Sequence, residues 1–237
     1  MNIIKIILVF LNLLNNDFYE IQYEFTQKME ISEEGRRQYS PEILEQVLEA
    51  ANASYIFKMY TNRGESLIKI QPKIFNTQAE LNVEIEPDFK WVYKNLKEDY
   101  ILSLVEFDKD YYVRDTMQNI DWQKSSEKKE ILGHQTTKFF YENEDRLFEI
   151  WCADDIEIPN GPLNFSGNTH LILEASISAK EGWMYVYNFK ASKINFPVQY
   201  NLKKEMPKKI IEKKDFDEIE NAFYEKENLY NEEVDKD

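Results

Sequence analysis

The alternation of large apolar and polar side chains near the start of the chain constrains the fold most strongly. Within DFYEIQYEF, apolar side chains occupy every second position, at Tyr19, Ile21, Tyr23 and Phe25. A period of two is typical of a β-strand that buries one face. The chain therefore has to build a sheet with one side against a core.

Later segments repeat this pattern between turn-forming residues. The stretch SYIFKMYTNRGESLIKIQ predicts two strands around an Asn-Arg-Gly turn, and hairpins are also predicted around Asn143–Asp145 and Glu181–Gly182. In the last hairpin one face is shared by Trp183, Tyr185, Tyr187 and Phe189. Fifteen Tyr and fifteen Phe also favour sheet. We predict a mainly β (α+β) fold with one large curved antiparallel sheet, for which the open barrel of lipoprotein carriers is one suitable architecture.

Two helices are expected to accompany the sheet. Ser40 and Pro41 suit an N-cap and a first helical position, and apolar residues follow at helical spacing as far as Ala51. We expect this helix to pack on the sheet. Apolar residues at Phe216, Ile219, Phe223 and Tyr230 allow a second helix. The predicted organisation is a single β-rich domain over residues 17–202, followed by a charged C-terminal helix and tail over residues 203–237.

The first sixteen residues, MNIIKIILVFLNLLNN, form an apolar segment behind one lysine. The run from Ile6 to Leu14 is too short to span a bilayer but fits the apolar region of a secretory signal. No small-x-small triplet marks a cleavage site. We predict a signal peptide over residues 1–16 and an exported protein, whether periplasmic, outer-membrane-associated or secreted. The alternative is that this run is the first strand or helix of an intracellular structural or interaction protein.

Composition argues against several classes of function. The net charge is −15, and Asp215–Asp237 holds ten acidic residues against two lysines, so no basic stripe is available for nucleic acid. Six glycines are too few for a phosphate-binding loop or a dinucleotide fingerprint. The two histidines, His134 and His170, lack metal-ligand spacing. We therefore predict no cofactor, no metal and no nucleic-acid partner. Cys152, the only cysteine, is predicted to be a buried small apolar residue.

The segment NGPLNFSGNTHLILEA, residues 160–175, concentrates turn-forming residues and a histidine. Ser166 lacks the preceding glycine of a nucleophile elbow. A hydrolytic enzyme is nevertheless one hypothesis for this loop, with its chemistry carried by Asp154, Asp155, Glu157 and His170. That hypothesis requires His170 to lie within hydrogen-bond reach of one of these carboxylates in a cleft.

The order of motifs around this segment resembles the GLPGLI family, small proteins of Bacteroidetes named for a hexapeptide at this place. RLFEIWCADDIEIPNGP resembles the segment before the family motif, and YVRDTMQNIDWQKSSEKKEILGHQTTKFF looks like the approach to it. The hexapeptide itself reads GNTHLI, with Leu-Pro-Gly replaced. The resemblance makes a set of residues candidates for partner binding, namely Pro159, Gly161, Pro162, Phe165, Gly167, His170, Leu171 and Ile172.

The family resemblance implies an exported or envelope-associated protein without an established enzymatic activity. Our leading hypothesis is therefore a non-enzymatic binding or scaffold protein of the cell envelope. Its partner is unknown; an envelope or outer-membrane protein, a peptide or a lipid would each suit an apolar sheet face. The same loop is also interpreted as an architectural corner, in which Gly161-Pro162 and Gly167-Asn168 form two turns and Phe165 anchors the loop on the core.

Overall fold

The structure, a computed structural model, describes residues 17–30, 36–37, 40–72, 87, 89–165, 167–180 and 184–234. Twelve strands and two longer helices are assigned within these ranges. Three predictions fall outside the described residues and stay predictions: the signal peptide, the Glu181–Gly182 turn and the position of Trp183. The boundary predicted at residue 202 likewise stays a prediction.

Among the described residues, the first half of the chain contributes one longer helix and six strands. They are β1 (Asp17–Glu30), α1 (Pro41–Ala51), β2 (Ala53–Thr61), β3 (Glu65–Ile70), β4 (Trp91–Asn95), β5 (Tyr100–Glu106) and β6 (Asp110–Thr116). The second half contributes β7 (Gln123–Ile131), β8 (His134–Glu142), β9 (Arg146–Ala153), β10 (Ile172–Ala179), β11 (Met184–Gln199), a 3-10 turn (Leu202–Lys204), β12 (Ile211–Glu212) and α2 (Lys213–Val234).

All twelve strands belong to one sheet, in the order β12-β6-β5-β4-β3-β2-β1-β11-β10-β9-β8-β7. Neighbouring strands are antiparallel, except that β12 runs parallel to β6. The sheet thus consists of two meanders, β1 to β6 and β7 to β11, which are joined where β1 pairs with β11. This arrangement confirms the predicted mainly β fold with one large sheet, in which the two-residue β12 is the one parallel strand among those described.

The sheet is strongly curved and stays open. β6 and β7 are ten strand-to-strand steps apart, about 48 Å in a flat sheet. Only residues 117–122 connect them, and so short a segment spans at most about 25 Å. The two ends of the sheet must therefore curl toward each other, as in the predicted open barrel.

The inner face of the curved sheet carries the main core. Ile21, Tyr23 and Phe25 of β1 are fully buried, which confirms the alternation predicted from the sequence. Tyr19, at the end of the same strand, is partly buried. The ring of Phe25 packs edge to face on that of Phe57 from β2, with centroids 5.6 Å apart. Aromatic rings from adjacent strands thus fill the centre of the inner face.

Strands β3 to β5 are buried on their outer face as well. Leu67, Trp91, Tyr93 and Leu102 form a second cluster there with Phe18 and Leu202. Leu202 begins the 3-10 turn that follows β11, so the chain folds back over this part of the sheet. Burial on both faces explains why four successive residues of β4, Trp91 to Lys94, are buried.

The two predicted hairpin turns that lie within the described residues and both predicted helices are present. Asn62 accepts hydrogen bonds through Oδ1 from the backbone N–H groups of Gly64 (2.7 Å) and Glu65 (3.0 Å), which closes the β2–β3 turn. Asn143 closes the β8–β9 turn in the same way. The Ser40 hydroxyl accepts from the Ile43 N–H at the start of α1, which contacts β1. Within the described ranges, no helix is both apolar and long enough to cross a bilayer.

Candidate functional site

The loop between β9 and β10, residues 154–171, fills the concave side of the sheet, and we call it the plug loop. Its apolar side chains at Ile156, Ile158, Leu163, Phe165 and Leu171 are all buried in the same core as the inner faces of β1 to β4 and β9 to β11. The Phe165 ring packs near Trp122, at 6.2 Å, and Phe148, at 6.5 Å. The sequence segment with the densest turn signals therefore forms the centre of the molecule.

Asn160 anchors the plug loop to β2 and β10. Its side chain is fully buried and donates through Nδ2 to the Thr61 hydroxyl at 3.0 Å. Its Oδ1 accepts from the Gly161 N–H at 2.8 Å, and its carbonyl accepts from the Ile172 N–H at 2.8 Å. Because buried polar groups are costly unless paired, these bonds fix the position of the turn.

Lys94 of β4 holds the same part of the plug loop by hydrogen bonds. Its side chain is fully buried, and Nζ donates to the carbonyl oxygens of Gly161 (2.8 Å) and Phe165 (3.1 Å). Burial of the ammonium group lowers the pKa of Lys94 to about 7. Its two observed acceptors are backbone carbonyls of the plug loop, so this lysine acts on the loop as a positioning residue.

The pH dependence of stability should report the burial of Lys94. An unfolded lysine keeps its proton up to pH about 10.4, whereas folded Lys94 loses it near pH 7, so the unfolded state binds more protons in between. The free energy of unfolding should therefore rise with pH from 7 to about 8.5, by up to about 1.4 kcal/mol per pH unit. Urea unfolding at successive pH values measures this slope.

The upper limit of that window is set by Cys152. Burial raises the pKa of Cys152 to about 12, so this group reduces stability once its unfolded form ionises, above about pH 8.5. Burial also raises the pKa of Tyr23, which reduces stability in the same way above about pH 10. In Lys94→Met the slope between pH 7 and 8.5 should disappear, and in Lys97→Met, at an exposed lysine of the β4–β5 turn, it should remain. A slope that survives Lys94→Met would contradict this origin.

Two glycines of the plug loop lie so close to neighbouring segments that a side chain would not fit. A Cβ atom on Gly161 would lie 2.5 Å from Cδ1 and 2.7 Å from Cβ of Ile172. Gly167 has a φ of +83°, and a Cβ atom there would lie 2.7 Å from the Ile120 carbonyl oxygen in the segment between β6 and β7. The two predicted turns therefore coincide with positions where only glycine fits without strain.

The eight candidate residues of the family motif lie mostly inside the molecule. Gly161, Pro162, Phe165, Leu171 and Ile172 are buried, Pro159 and His170 are partly buried, and Gly167 is exposed. A partner could reach the buried members only if the plug loop moved. Their placement suits the architectural interpretation of the motif, and their role in partner binding stays a prediction.

The residues of the hydrolytic hypothesis are engaged with other partners than one another. Asp154 accepts from the Thr137 hydroxyl at 2.7 Å and pairs with Lys128 at 3.0 Å, and the Thr137 bond lowers the pKa of Asp154. Nδ1 of His170 lies 2.7 Å from the Thr169 hydroxyl. The contacts of the described residues include no hydrogen bond from His170 to a carboxylate, so the condition set for this hypothesis is unmet.

The histidine that does meet a carboxylate is His134. Its Nδ1 lies 2.9 Å from both carboxylate oxygens of Asp155. His134 begins β8, and Asp155 follows β9. In the β8–β9 hairpin, Thr136 lies opposite Ala153, and the same register places residue 134 opposite residue 155. Because this register depends on the predicted turn at Asn143–Asp145, the pair could have been predicted from the sequence.

Cys152 is confirmed as a buried residue. It is 2% exposed, and its sulfur accepts from Nδ2 of Asn168 at 3.6 Å. The raised pKa keeps it as a thiol at neutral pH. Among the residues that the structure describes, no three His, Cys, Asp or Glu side chains converge as metal ligands.

Openings of different character remain beside the plug loop. The apolar groove, of about 350 Å³, lies on the inner face of β4 to β6, and its apolar walls come from Phe89, Val92, Ile101, Val105, Val113 and Leu163. The polar cleft, of about 770 Å³, lies where the start of β1, the β2–β3 turn and residues 155–158 of the plug loop meet. The two openings share no lining residue.

The described residues define a class of fold, an open and strongly curved β-sheet whose concave side is filled by its own loop. No protein-family model matches the sequence, and no curated protein matches it. Among solved structures, the fold is similar to PNGF-II in one crystal form, with a TM-score of 0.53 and 17% identity over 83% of this chain. The match covers 31% of the PNGF-II chain, so this protein spans about a third of that length.

Two further solved structures show weaker similarity. A second crystal form of PNGF-II gives a TM-score of 0.49 with 18% identity, over 81% of this chain and 31% of that chain. A LolA superfamily protein from Nitrosomonas europaea gives a TM-score of 0.32 with 9% identity, over 81% of this chain and 91% of that chain. At these identities, the similarity to PNGF-II concerns the fold alone.

Proposed function

We propose that this chain is a non-enzymatic binding protein of the GLPGLI type that is exported to the cell envelope and holds an apolar group of its partner in the apolar groove. The observation that carries this proposal is the groove itself, an open cavity of about 350 Å³ with apolar walls. Ligand sites are commonly concave, largely apolar and of about 300–1,000 Å³. The groove lies at the lower end of that range and therefore suits one side chain or one short acyl chain.

The plug loop limits what the protein can bind. A carrier that encloses a whole lipid needs an empty concave face, whereas here Ile158, Leu163 and Phe165 occupy that space. Leu163 also forms one wall of the groove, so the plug loop shapes the remaining site. Lys213 at the start of α2 and Asp115 at the end of β6 also line the groove and supply charged groups for the polar part of a ligand.

The groove can be tested with a fluorescent hydrophobic dye. Folded wild-type protein should enhance dye fluorescence, because apolar surface in a groove binds apolar ligands. Val105→Glu places a charge in the groove wall and should weaken dye binding about tenfold or more. Circular dichroism checks that the variant is folded.

Ile219→Glu is the matched control. Ile219 is 39% exposed on α2 and is absent from the groove lining, so the same change in chemistry should leave dye affinity unaltered. If Ile219→Glu lost dye binding and Val105→Glu did not, the dye would bind on the exposed face of α2 and not in the groove. Absence of dye binding to the wild-type protein would remove the basis for a hydrophobic ligand.

Export is tested separately by fractionation and N-terminal sequencing of the mature protein. The proposal expects a protein that lacks residues 1–16 in the envelope or secreted fraction. A cytoplasmic protein with these residues intact would favour the intracellular structural alternative.

A further inference from the structure

The polar cleft contains a stacked aromatic pair of a partly buried tyrosine and an exposed phenylalanine, neither of which lines the apolar groove. The rings of Tyr19 and Phe196 stack with centroids 4.0 Å apart and an interplanar angle of 19°. Phe196 is 53% exposed, although it is one of the largest apolar side chains. Both residues also line a neighbouring cleft of about 540 Å³, so the pair stands between two openings. One ring face is therefore presented to ligands.

The charges around this pair are predominantly negative. Four carboxylates line the polar cleft, those of Asp17, Glu65, Asp155 and Glu157, against the two cations Arg63 and Lys97. Arg63 is already paired with Glu157 at 3.3 Å. Asp155 is 62% exposed and keeps a face open to solvent while it contacts His134. An additional cation would be attracted to such a cleft, and the net charge of −15 adds long-range attraction.

The charged neighbours of Tyr19 have opposite effects on the pKa of its hydroxyl group. Burial raises the pKa of Tyr19, Asp155 raises it further, and Arg63 opposes them with a smaller effect. The carboxylate therefore outweighs the guanidinium at the aromatic pair. A negative field beside an aromatic face is the arrangement that stabilises cations through cation–π attraction and ion pairing together.

We propose that the polar cleft binds a basic peptide segment, with the guanidinium or ammonium group of an arginine or lysine against the Phe196 ring and paired with Asp155. The second cleft continues past the Tyr19–Phe196 pair and accommodates a neighbouring residue of the peptide. The lining of the second cleft has one carboxylate, Asp155, against Lys193, whereas the polar cleft has four carboxylates against two cations, so the cationic side chain belongs in the polar cleft. This site is independent of the apolar groove.

The test compares two peptides that differ only in charge. An arginine-containing peptide and its citrulline counterpart have nearly the same shape, and both are titrated against the full chain by calorimetry at low salt. The arginine peptide should bind about tenfold more tightly than the citrulline peptide, and its affinity should fall as salt is added. Equal binding of the two peptides, or no binding of either, would overturn the proposal.

Four variants locate the site. Phe196→Ala and Asp155→Asn should each weaken binding of the arginine peptide roughly three- to tenfold. The controls Phe223→Ala and Asp215→Asn alter an exposed aromatic residue and an exposed acid on α2 and should change affinity less than about twofold. Equal losses in the controls would mean binding by general negative charge. Spermidine is a third ligand, and if it bound as tightly as the peptide, the peptide assignment would be wrong.

Discussion

Replacing Phe165 with alanine should lower the free energy of unfolding by about 3–5 kcal/mol. The ring is 1% exposed, it packs near Trp122 and Phe148, and the Phe165 carbonyl accepts from Lys94. Loss of the ring leaves a cavity at the point where β4, β9 and the segment between β6 and β7 meet the plug loop. Urea unfolding followed by circular dichroism measures the change.

Phe223→Ala is the control for the Phe165 substitution. Phe223 is 39% exposed and stacks edge to face on Phe107 at 4.8 Å, so the same truncation should cost only about 1 kcal/mol. Phe165→Ala should also increase binding of a hydrophobic dye, because a loosened plug loop uncovers the concave face. If the two variants lost equal stability, Phe165 would not be the anchor of the loop.

Gly161→Ala should lower the free energy of unfolding by about 1–3 kcal/mol through overpacking alone. Three side-chain atoms of Ile172 lie within 3 Å of the new methyl group, and Ile172 is fully buried without space to move. The shift would also disturb the bonds of Lys94 and Asn160 to this turn. Thermal unfolding with a matched glycine variant measures the effect.

Gly64→Ala is the matched control for Gly161→Ala. A methyl group on Gly64 would meet the Lys97 side chain at 2.6 Å, but its contacts are the flexible end of an exposed lysine, which can turn away. The stability of Gly64→Ala should therefore stay within about 0.5 kcal/mol of wild type. A similar loss at both positions would show that glycine flexibility, and not the contact with Ile172, explains the effect.

Much of the local structure could be predicted because it depends on neighbouring residues. The alternation at Ile21 and Tyr23 determines which face of β1 is buried, Asn62 and Asn143 mark turns, and Pro41 starts α1. Each of these signals acts over a few residues, where strand period and turn chemistry dominate. The resulting predictions of strands, turns and the first helix agree with the structure.

The plug and its anchors could not be predicted in the same way. Lys94 follows Val92 by two positions, so the sequence places both on one face of β4, yet it contains no sign that carbonyl groups 67 and 71 residues away would satisfy the ammonium group. Burial of a lysine depends on such distant partners. Turn-forming residues predict a corner at this loop, but the position of the loop inside the sheet follows from long-range strand pairing.

The same distinction between local signals and long-range contacts applies to the candidate sites. The pair of His134 and Asp155 follows from the register of a predicted hairpin, and register is a local property once the turn is known. The apolar groove and the polar cleft each combine segments separated by more than 100 residues. Residue spacing within one segment gives no information about contacts between segments so far apart. Neither opening could therefore be predicted from the sequence.

The junction between the two meanders determines when this protein can fold during its synthesis. Among the described strands β1 leaves the ribosome first, but its partner β11 is completed only at Gln199, more than 160 residues later. Until then the edge of β1 that β11 will cover is unpaired, and the plug loop lacks the finished sheet that encloses it. The meanders can form hairpin by hairpin as they emerge, whereas closure at the centre waits for β11. The nascent chain is therefore most exposed to aggregation in the interval before β11 is made.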